Sequence, residues 1–245
     1  MRFTDLHSHY LPGVDDGVRS SEEGVALCRA LGAAGFGRVI ATPHIRTAMF
    51  PNERETLGRA FEAFAAEAAG ADASGDGAMP ELGLAAEHFF DDVFWELFER
   101  GGSLPYPGGK AALIELPSET IPLGLDRLFF QMSVRGVRPV LAHPERYSPL
   151  FSETDSLDPI LDVGALPLLD LMSLMGRYGR RPQEAAERML EEGVYYAACS
   201  DAHRPSDVPI VAQAIERLTA LVGADERDEL LGTNPVRILE GRADP

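Results

Sequence analysis

Cysteine and tryptophan are almost missing from this chain, which has two and one of them among 245 residues. Cys28 and Cys199 form no C-x-x-C pair and no zinc-type spacing, so a structural cysteine–zinc site is excluded. Basic residues are also scarce, at 22 Lys and Arg against 39 Asp and Glu, for a formal charge of −17. Nucleic-acid binding needs clustered Lys and Arg, and the densest basic stretch here is "GRYGRRP", 176–182. No nucleic-acid partner is expected, and the acidity reads as solubility. No run of eighteen apolar residues occurs, so no membrane span is expected. "MRFTDLHSH" lacks a basic-then-apolar leader, which makes the cytoplasm the default location and reduced cysteines the default state.

Hydrophobic residues make up 45% of the chain, enough for a full core. Short apolar runs at 2–5, 38–43, 81–87, 112–116, 138–143, 166–171 and 194–199 read as strands. Helical patterns fill 20–34, 53–69, 89–100, 122–135, 180–192, 206–222 and 225–231. Ser20 with Glu23 three residues on reads as a capping box. In "GTNPVRIL", Asn234 reads as an N-cap with Pro235 at the first position of a short last helix. The Gly-rich "AAGADASGDGAMP", 68–80, reads as a surface loop. Repeated β–α order implies a parallel sheet. Seven strands without an interdomain linker favour a barrel over an open sheet, in one domain spanning 1–245.

Histidine is sparse too, with six in the chain, yet "DLHSHYLPGVDDG", 5–17, holds two beside three aspartates. The others fall in a pattern. His7 and His9 follow the first strand, His44 ends the second in "VIATPH", and Glu87 ends the third in "LGLAAEH". Glu115 ends the fourth in "ALIELP", and His143 ends the fifth in "VLAHPER". Asp201 and His203 follow the seventh in "YYAACSDAH". In an α/β barrel these strand ends open onto one face, where active sites are built. Asp16 can join from the first loop. His88 adjoins Glu87, and strand alternation turns it away, so it reads as structural. Imidazoles and carboxylates without thiolate suit Mn²⁺, Fe²⁺ or Zn²⁺. The nine residues exceed one ion's needs and suffice for two or three if a carboxylate bridges. Clustered ions clamp both oxygens of a phosphoryl displacement.

"DLHSHYLPGVDDG", "ATPH", "AAEHFFD", "LIELP", "LAHPERY" and "SDAH" together resemble the PHP (polymerase and histidinol phosphatase) superfamily. The match is strongest to its metal-dependent protein-tyrosine phosphatases of bacterial capsule and exopolysaccharide systems, the CpsB/CapC type. The "TNPVRIL" tail resembles that family's C-terminal helix. The resemblance implies a distorted (β/α)7 barrel with three divalent ions, manganese preferred and iron or zinc as alternatives. By motif, His7, His9, Glu87 and Asp201 would hold the first ion. Glu87 would bridge to a second, shared with Glu115 and His143. Asp16, His44 and His203 would hold the third. Asp5 would orient a ligating imidazole through its free ring nitrogen. Arg146 would grip phosphate, and Arg46 is a weaker candidate for the same role. Ile45 stands where the family often has a second histidine, and "LLDLMSLMGRYG" is more apolar than usual. Both departures bear on substrate contact.

The implied reaction is attack of a metal-bridging hydroxide on the phosphorus of protein phosphotyrosine. The implied substrate is a bacterial tyrosine kinase that regulates capsule or exopolysaccharide synthesis. Three divalent ions outweigh the four carboxylates, so an acidic protein can still attract a phosphate dianion locally. Neither cysteine opens a C-x5-R loop, since Ala34 and Pro205 occupy the arginine positions. Two alternatives share the metal site: a small-molecule phosphatase such as a histidinol-phosphate phosphatase, and a metal-stabilised regulatory protein without turnover. A deaminase-like metallohydrolase ranks below both. "TAMFPN", 47–52, offers Met49 and Phe50 as a wall for an aryl ring, or as ordinary loop packing.

Overall fold

The computed structural model describes residues 2–72, 79–91 and 93–243. Strands β1 (Phe3–Ser8), β2 (Phe36–Ala41) and β4 (Glu81–Leu84) pair in one parallel sheet. A second sheet runs β3 (His44–Ile45), β5 (Glu87–Phe89), β6 (Ala111–Glu115), β7 (Arg138–Ala142), β8 (Leu166–Asp170) and β9 (Ala197–Cys199). β3 resumes the line of β2, and β5 that of β4. Pro43, which has no N–H to donate, lies at the first break. Its carbonyl still accepts from Glu87 N at 3.2 Å. Asp201 N to His7 O (3.0 Å) and His9 N to Ala202 O (2.9 Å) join β9 to β1. The result is the distorted seven-stave α/β barrel expected from the sequence.

Helices wrap the staves: α1 (Ser21–Ala33), α2 (Arg54–Asp72), α3 (Phe94–Glu99), α4 (Leu125–Val134), α5 (Asp158–Leu161), α6 (Arg180–Glu191) and α7 (Val208–Asp228). Strand alternation sorts the buried side chains into two sets. Leu6, Ile40, Leu113, Val140, Leu168 and Cys199 fill the barrel interior. Val39, Ile114, Leu141 and Leu169 face outward onto helix residues such as Leu27, Phe129 and Met189. Each such Leu or Ile contributes about 1.5–3 kcal/mol by leaving water. Ile238 and Leu239 of the last helix, α8 (Asn234–Leu239), join the interior set. This helix lies at the N-terminal ends of the strands, where Asn234 Nδ2 donates to Tyr196 O at 2.9 Å.

Several boundaries differ from the sequence reading. Asn234 is not an N-cap, because its side chain serves Tyr196 and the preceding turn Glu229–Thr233 is already helical. The patterns at 206–222 and 225–231 fuse into α7, with Gly223 (φ 86°) kinking it between them. The pattern at 89–100 yields only α3. Phe90 N still pairs with Glu115 O (2.8 Å), and Asp91 Oδ1 then accepts from Val93 N and Phe94 N. Residues 68–72, read as loop, continue α2, and 73–78 lie outside the described residues. Helix α5 has no counterpart in the sequence reading. Ser20 does cap α1, accepting from Glu23 N at 3.3 Å, while the Glu23 carboxylate accepts from Arg19 N rather than from Ser20 N. Cys28 and Cys199 are free and buried. Among the described residues no helix is long and apolar enough to cross a membrane.

Candidate metal centre

Local backbone geometry aims the strand-end side chains inward. Glu87 and Glu115 keep the inward parity of Ala85 and Leu113. The register of β1 against β2 slips between Asp5 and Ser8. Such a bulge re-aims side chains, and here both Leu6 and His7 reach the interior. His143 (φ 32°) and Asp201 (φ 46°) are the non-glycine residues with positive φ among those described. Their uncommon conformation turns both side chains into the cluster. Gly17 closes the first loop where no other residue fits, since a Cβ there would lie 2.2 Å from His9 O.

All nine predicted metal-type residues meet in one cluster. Glu87, buried, is its centre. Its Oε2 lies 3.3 Å from His7 Nε2, 3.7 Å from His9 Nε2 and 3.0 Å from His44 Nδ1, and its Oε1 is 3.0 Å from His143 Nε2. Asp201 Oδ1 lies 2.9 Å from His7 Nε2 and 3.3 Å from His9 Nε2. Asp16 Oδ1, at the more exposed edge, is 3.5 Å from both His44 Nε2 and His203 Nε2. Glu115 Oε2 is 3.9 Å from His44 Nδ1. Atoms close enough to share an ion form four overlapping groups: His9, Asp16, His44 and His203; His7, His9 and Asp201; His7, Glu87 and His143; His44, Glu87 and Glu115. The grouping is thus less partitioned than the resemblance implies, with His9 also reaching the outer set. Glu115 Oε2 and Asp201 Oδ1 are buried without a hydrogen bond. Buried carboxylate oxygens aimed at imidazole nitrogens, with no thiol among them, fit a borderline or hard divalent cation.

Asp5 requires a correction. It accepts from Ser200 N (2.9 Å), Ser200 Oγ (2.5 Å) and His7 N (3.3 Å), and none of these is an imidazole nitrogen. It ties β1 to β9. The carboxylate that holds a ring is Asp15, with Oδ2 2.8 Å from His9 Nδ1 and 3.2 Å from His44 N. His88 is structural as read: its ring bridges Leu113 O and Leu104 N, both at 3.0 Å.

Beside the cluster lies a cavity of about 310 Å³ whose lining includes Asp16, Asp201, His203, Arg146 and Tyr178. Arg146 Nη1 donates to Asp201 Oδ2 at 2.7 Å and lies 3.6 Å from Asp170 Oδ2. Its guanidinium sits 4.3 Å from the Tyr178 ring centroid. Glu145, fully buried, accepts from Asp170 N, Ser173 Oγ and Tyr195 Oη, which fastens the turn bearing Arg146 to the end of β8. Asp170 and Tyr178 were missed in the sequence, although Asp170 ends a predicted strand and the strand-end rule should have included it. Arg46 is absent from the lining; it stacks 3.9 Å over Phe89. Phe50 stacks on His44 (centroids 5.3 Å apart, planes 11° apart), while Met49 is 58% exposed.

The family model for capsular polysaccharide synthesis, CpsB/CapC, matches residues 3–240. The chain belongs to the CpsB/CapC family. Tyrosine-protein phosphatase YwqE of Bacillus subtilis is 28% identical over 201 residues, covering 81% of this chain and 76% of that protein. Tyrosine-protein phosphatase CpsB of Streptococcus pneumoniae is 26% identical over 244 residues, covering 96% and 97%. A chain from the crystal structures of these two proteins, described there as metal-dependent tyrosine phosphatases, superposes with a TM-score of 0.87 at 25% identity. It covers 98% of this chain and 95% of that one.

Charges in this CpsB/CapC-family cluster are strongly interdependent. Burial opposes charge on His9, yet Asp15 holds its pKa up at about 9. Burial likewise opposes charge on His44, which Glu87 and Asp16 raise to about 9. His7, also against burial, is held well above the usual imidazole range by Glu87 and Asp201. The same contacts overcome burial to keep Glu87 and Asp201 well below the carboxylate range. Hydrogen bonds from His203 and His44 lower Asp16. Burial and the Arg146 charge lower His143, while burial and neighbouring Glu87 raise Glu115.

Proposed function

We propose that this CpsB/CapC-family chain is, throughout its length, one metal-dependent protein-tyrosine phosphatase domain. The observation that carries the reading is the shared wall between cluster and cavity. Asp16, Asp201 and His203 belong to the nine-residue cluster and also line a pocket that presents Arg146. The phosphatase names of the relatives and the metal-dependent description of the structural neighbour support it.

The proposed ligands are His7, His9, Asp16, His44, Glu87, Glu115, His143, Asp201 and His203, holding up to three divalent ions, with manganese preferred. When bound, such ions supply an activated water and neutralise phosphoryl oxygens. Arg146 binds the phosphate, and Asp170 and Tyr178 hold its guanidinium in place. Asp15 orients His9. Phe50, stacked on His44, gives an apolar face beside the cluster for an aryl ring. Imidazoles must shed protons to ligate, so metal affinity falls as pH drops below about 9, where His9 and His44 become protonated.

Tyrosine's phenol, with a pKa of about 10, leaves far more readily than a serine alkoxide. Phosphotyrosine peptides should therefore be hydrolysed with divalent metal while matched phosphoserine peptides stay nearly inert. A tyrosine kinase of capsule or exopolysaccharide synthesis is the proposed substrate, met in the cytoplasm. The test is a side-by-side rate measurement on phosphotyrosine peptide, phosphoserine peptide and histidinol phosphate. Metal analysis, chelator and thiol alkylation accompany it, and the activity should vanish with chelator and survive alkylation. Preference for histidinol phosphate, or equal rates on serine and tyrosine phosphates, overturns the substrate assignment.

A further inference from the structure

The basic stretch 176–182 contributes no residue to the nine-residue metal-type cluster. Gly176 (φ 70°) and Gly179 (φ 105°) bend it into a turn between the end of β8 and helix α6. Gln183 Nε2 donates to Leu174 O at 3.0 Å and braces the turn from the α6 side. A Cβ at Gly176 would come within 3.0 Å of Gln183 Oε1, so the turn is closely packed there. Tyr178 points inward, under the Arg146 guanidinium. Arg177 lines the phosphate-side cavity together with Arg204. Arg180 and Arg181 line a second cavity, of about 400 Å³, on the outer side. Arg146 and Tyr178 belong to both linings, so the two cavities adjoin and share one wall.

Asp16, Asp201 and Asp207 offset this positive charge in the inner cavity, whereas the lining of the outer one holds no carboxylate. Arg180 pairs with Glu184 (2.7 Å) while remaining 87% exposed, and Arg177 reaches Asp207 only at 3.5 Å. Arg181 and Arg204 are exposed, and no ion pair of either guanidinium occurs among the described residues, although Arg204 N donates to Asp207. On a chain of net charge −17, five arginines line one run of cavities, and the outer cavity has three of them with no carboxylate in its lining. A phosphate dianion needs Arg146 and the metal centre. The outer arginines lie past that point, where the residues beside a phosphotyrosine would pass.

We propose that Arg177, Arg180, Arg181 and Arg204 form a specificity subsite that binds acidic side chains flanking the phosphotyrosine of a protein substrate. The proposal rests on the phosphatase reading above. Exposed guanidinium–carboxylate contacts are individually weak, so the selectivity is a sum. Two to four such pairs give a preference of roughly three- to thirtyfold in kcat/KM at low salt. Salt near 0.5 M screens most of it.

The test compares two phosphotyrosine peptides that differ only in flanking residues, Glu and Asp in one and Gln and Asn in the other. They are assayed with metal-loaded wild-type enzyme alongside p-nitrophenyl phosphate. The acidic peptide should be preferred at low salt. Arg180→Gln combined with Arg181→Gln should drive the ratio of the two rates towards one, and the paired lysine substitutions should retain much of it. Because the readout is a ratio within each protein, partial misfolding does not mimic the result. Equal wild-type rates on both peptides, or a preference that survives the paired Gln substitutions, overturn the subsite while p-nitrophenyl phosphate is still hydrolysed. Loss of p-nitrophenyl phosphate turnover in the wild type instead removes the phosphatase reading, and the subsite with it.

Discussion

At the N-terminal ends of the strands, a cavity of about 590 Å³ lies between the segment 154–167 and the turn before β9. At the C-terminal ends, the cavity beside the metal-type cluster measures about 310 Å³. The larger one presents Asp155, Asp158, Asp162 and Glu192, with no imidazole or guanidinium in its lining. The smaller one presents three carboxylates, an imidazole and three guanidiniums. The first offers a phosphate dianion only like charge, while the second offers it guanidinium partners. Volume is therefore a poor guide to chemistry in this barrel, and the mixture of charge signs is a good one. The backbone agrees, since both positive-φ non-glycine residues lie at the C-terminal end, where strained conformations re-aim His143 and Asp201.

Substitution at the two ends sharpens this contrast. Glu87→Gln should have the largest effect, because a neutral amide at the centre of the cluster cannot balance adjacent cations. Activity should fall by orders of magnitude with less metal per chain and little change in fold. Near-normal turnover at full metal occupancy would erase the distinction between the two ends. Arg146→Lys should come next, lowering kcat/KM about ten- to a hundredfold through loss of one charge-assisted hydrogen bond. Metal content should stay unchanged; if metal is released instead, Arg146 supports the centre rather than binding phosphate.

His88 supplies a control one residue from Glu87. His88→Leu leaves Leu104 N without a partner, removes the ring's bond to Leu113 O and should cost about 2–4 kcal/mol of stability in urea melts. Burial pushes the His88 pKa down to about 4, below the unfolded value of roughly 6.5. Its contribution to stability is therefore complete above pH 6.5 and is lost as pH falls towards 4. The gap between wild type and variant should narrow by up to about 3 kcal/mol across that window. A gap independent of pH would mean that His88 is not buried as a neutral ring. The smallest effect belongs to the other end of the barrel, where Asp158→Asn and Glu192→Gln should change kcat/KM by less than about twofold. A larger change would give the acidic cavity a role in turnover.

The nine clustered residues were legible because the strand-end rule depends only on β–α order, which apolar runs reveal reliably. What failed needed three-dimensional closure. Asp15 and Asp16 are neighbours in "DDG", and only the folded loop, tightened at Gly17, shows that one turns to the His9 ring and the other to His44 and His203. The family resemblance implies Asp5 as the ring-orienting carboxylate, but the β1–β9 seam claims it through Ser200. Asp170 shared the strand-end signature and was passed over amid apolar neighbours. Glu145 sits inside "HPER", yet its pKa of about 7, raised by burial, and its three hydrogen bonds depend on β8 and on Tyr195.

The seam between β1 and β9 sets an order of events in synthesis. His7 and His9 leave the ribosome near the start, but Asp201 and His203, which face them across the seam, are made about 190 residues later. At 5–20 residues per second the interval is roughly 10–40 s. During that time the two imidazoles and the third-stave Glu87 have no closed cage around them, only a nascent chain. An ion captured then would be held by a partial set of donors, open to exchange with whichever divalent metal is abundant. The proposed metal site is thus incomplete until the last stave is made, and its full donor set exists only once the barrel has closed.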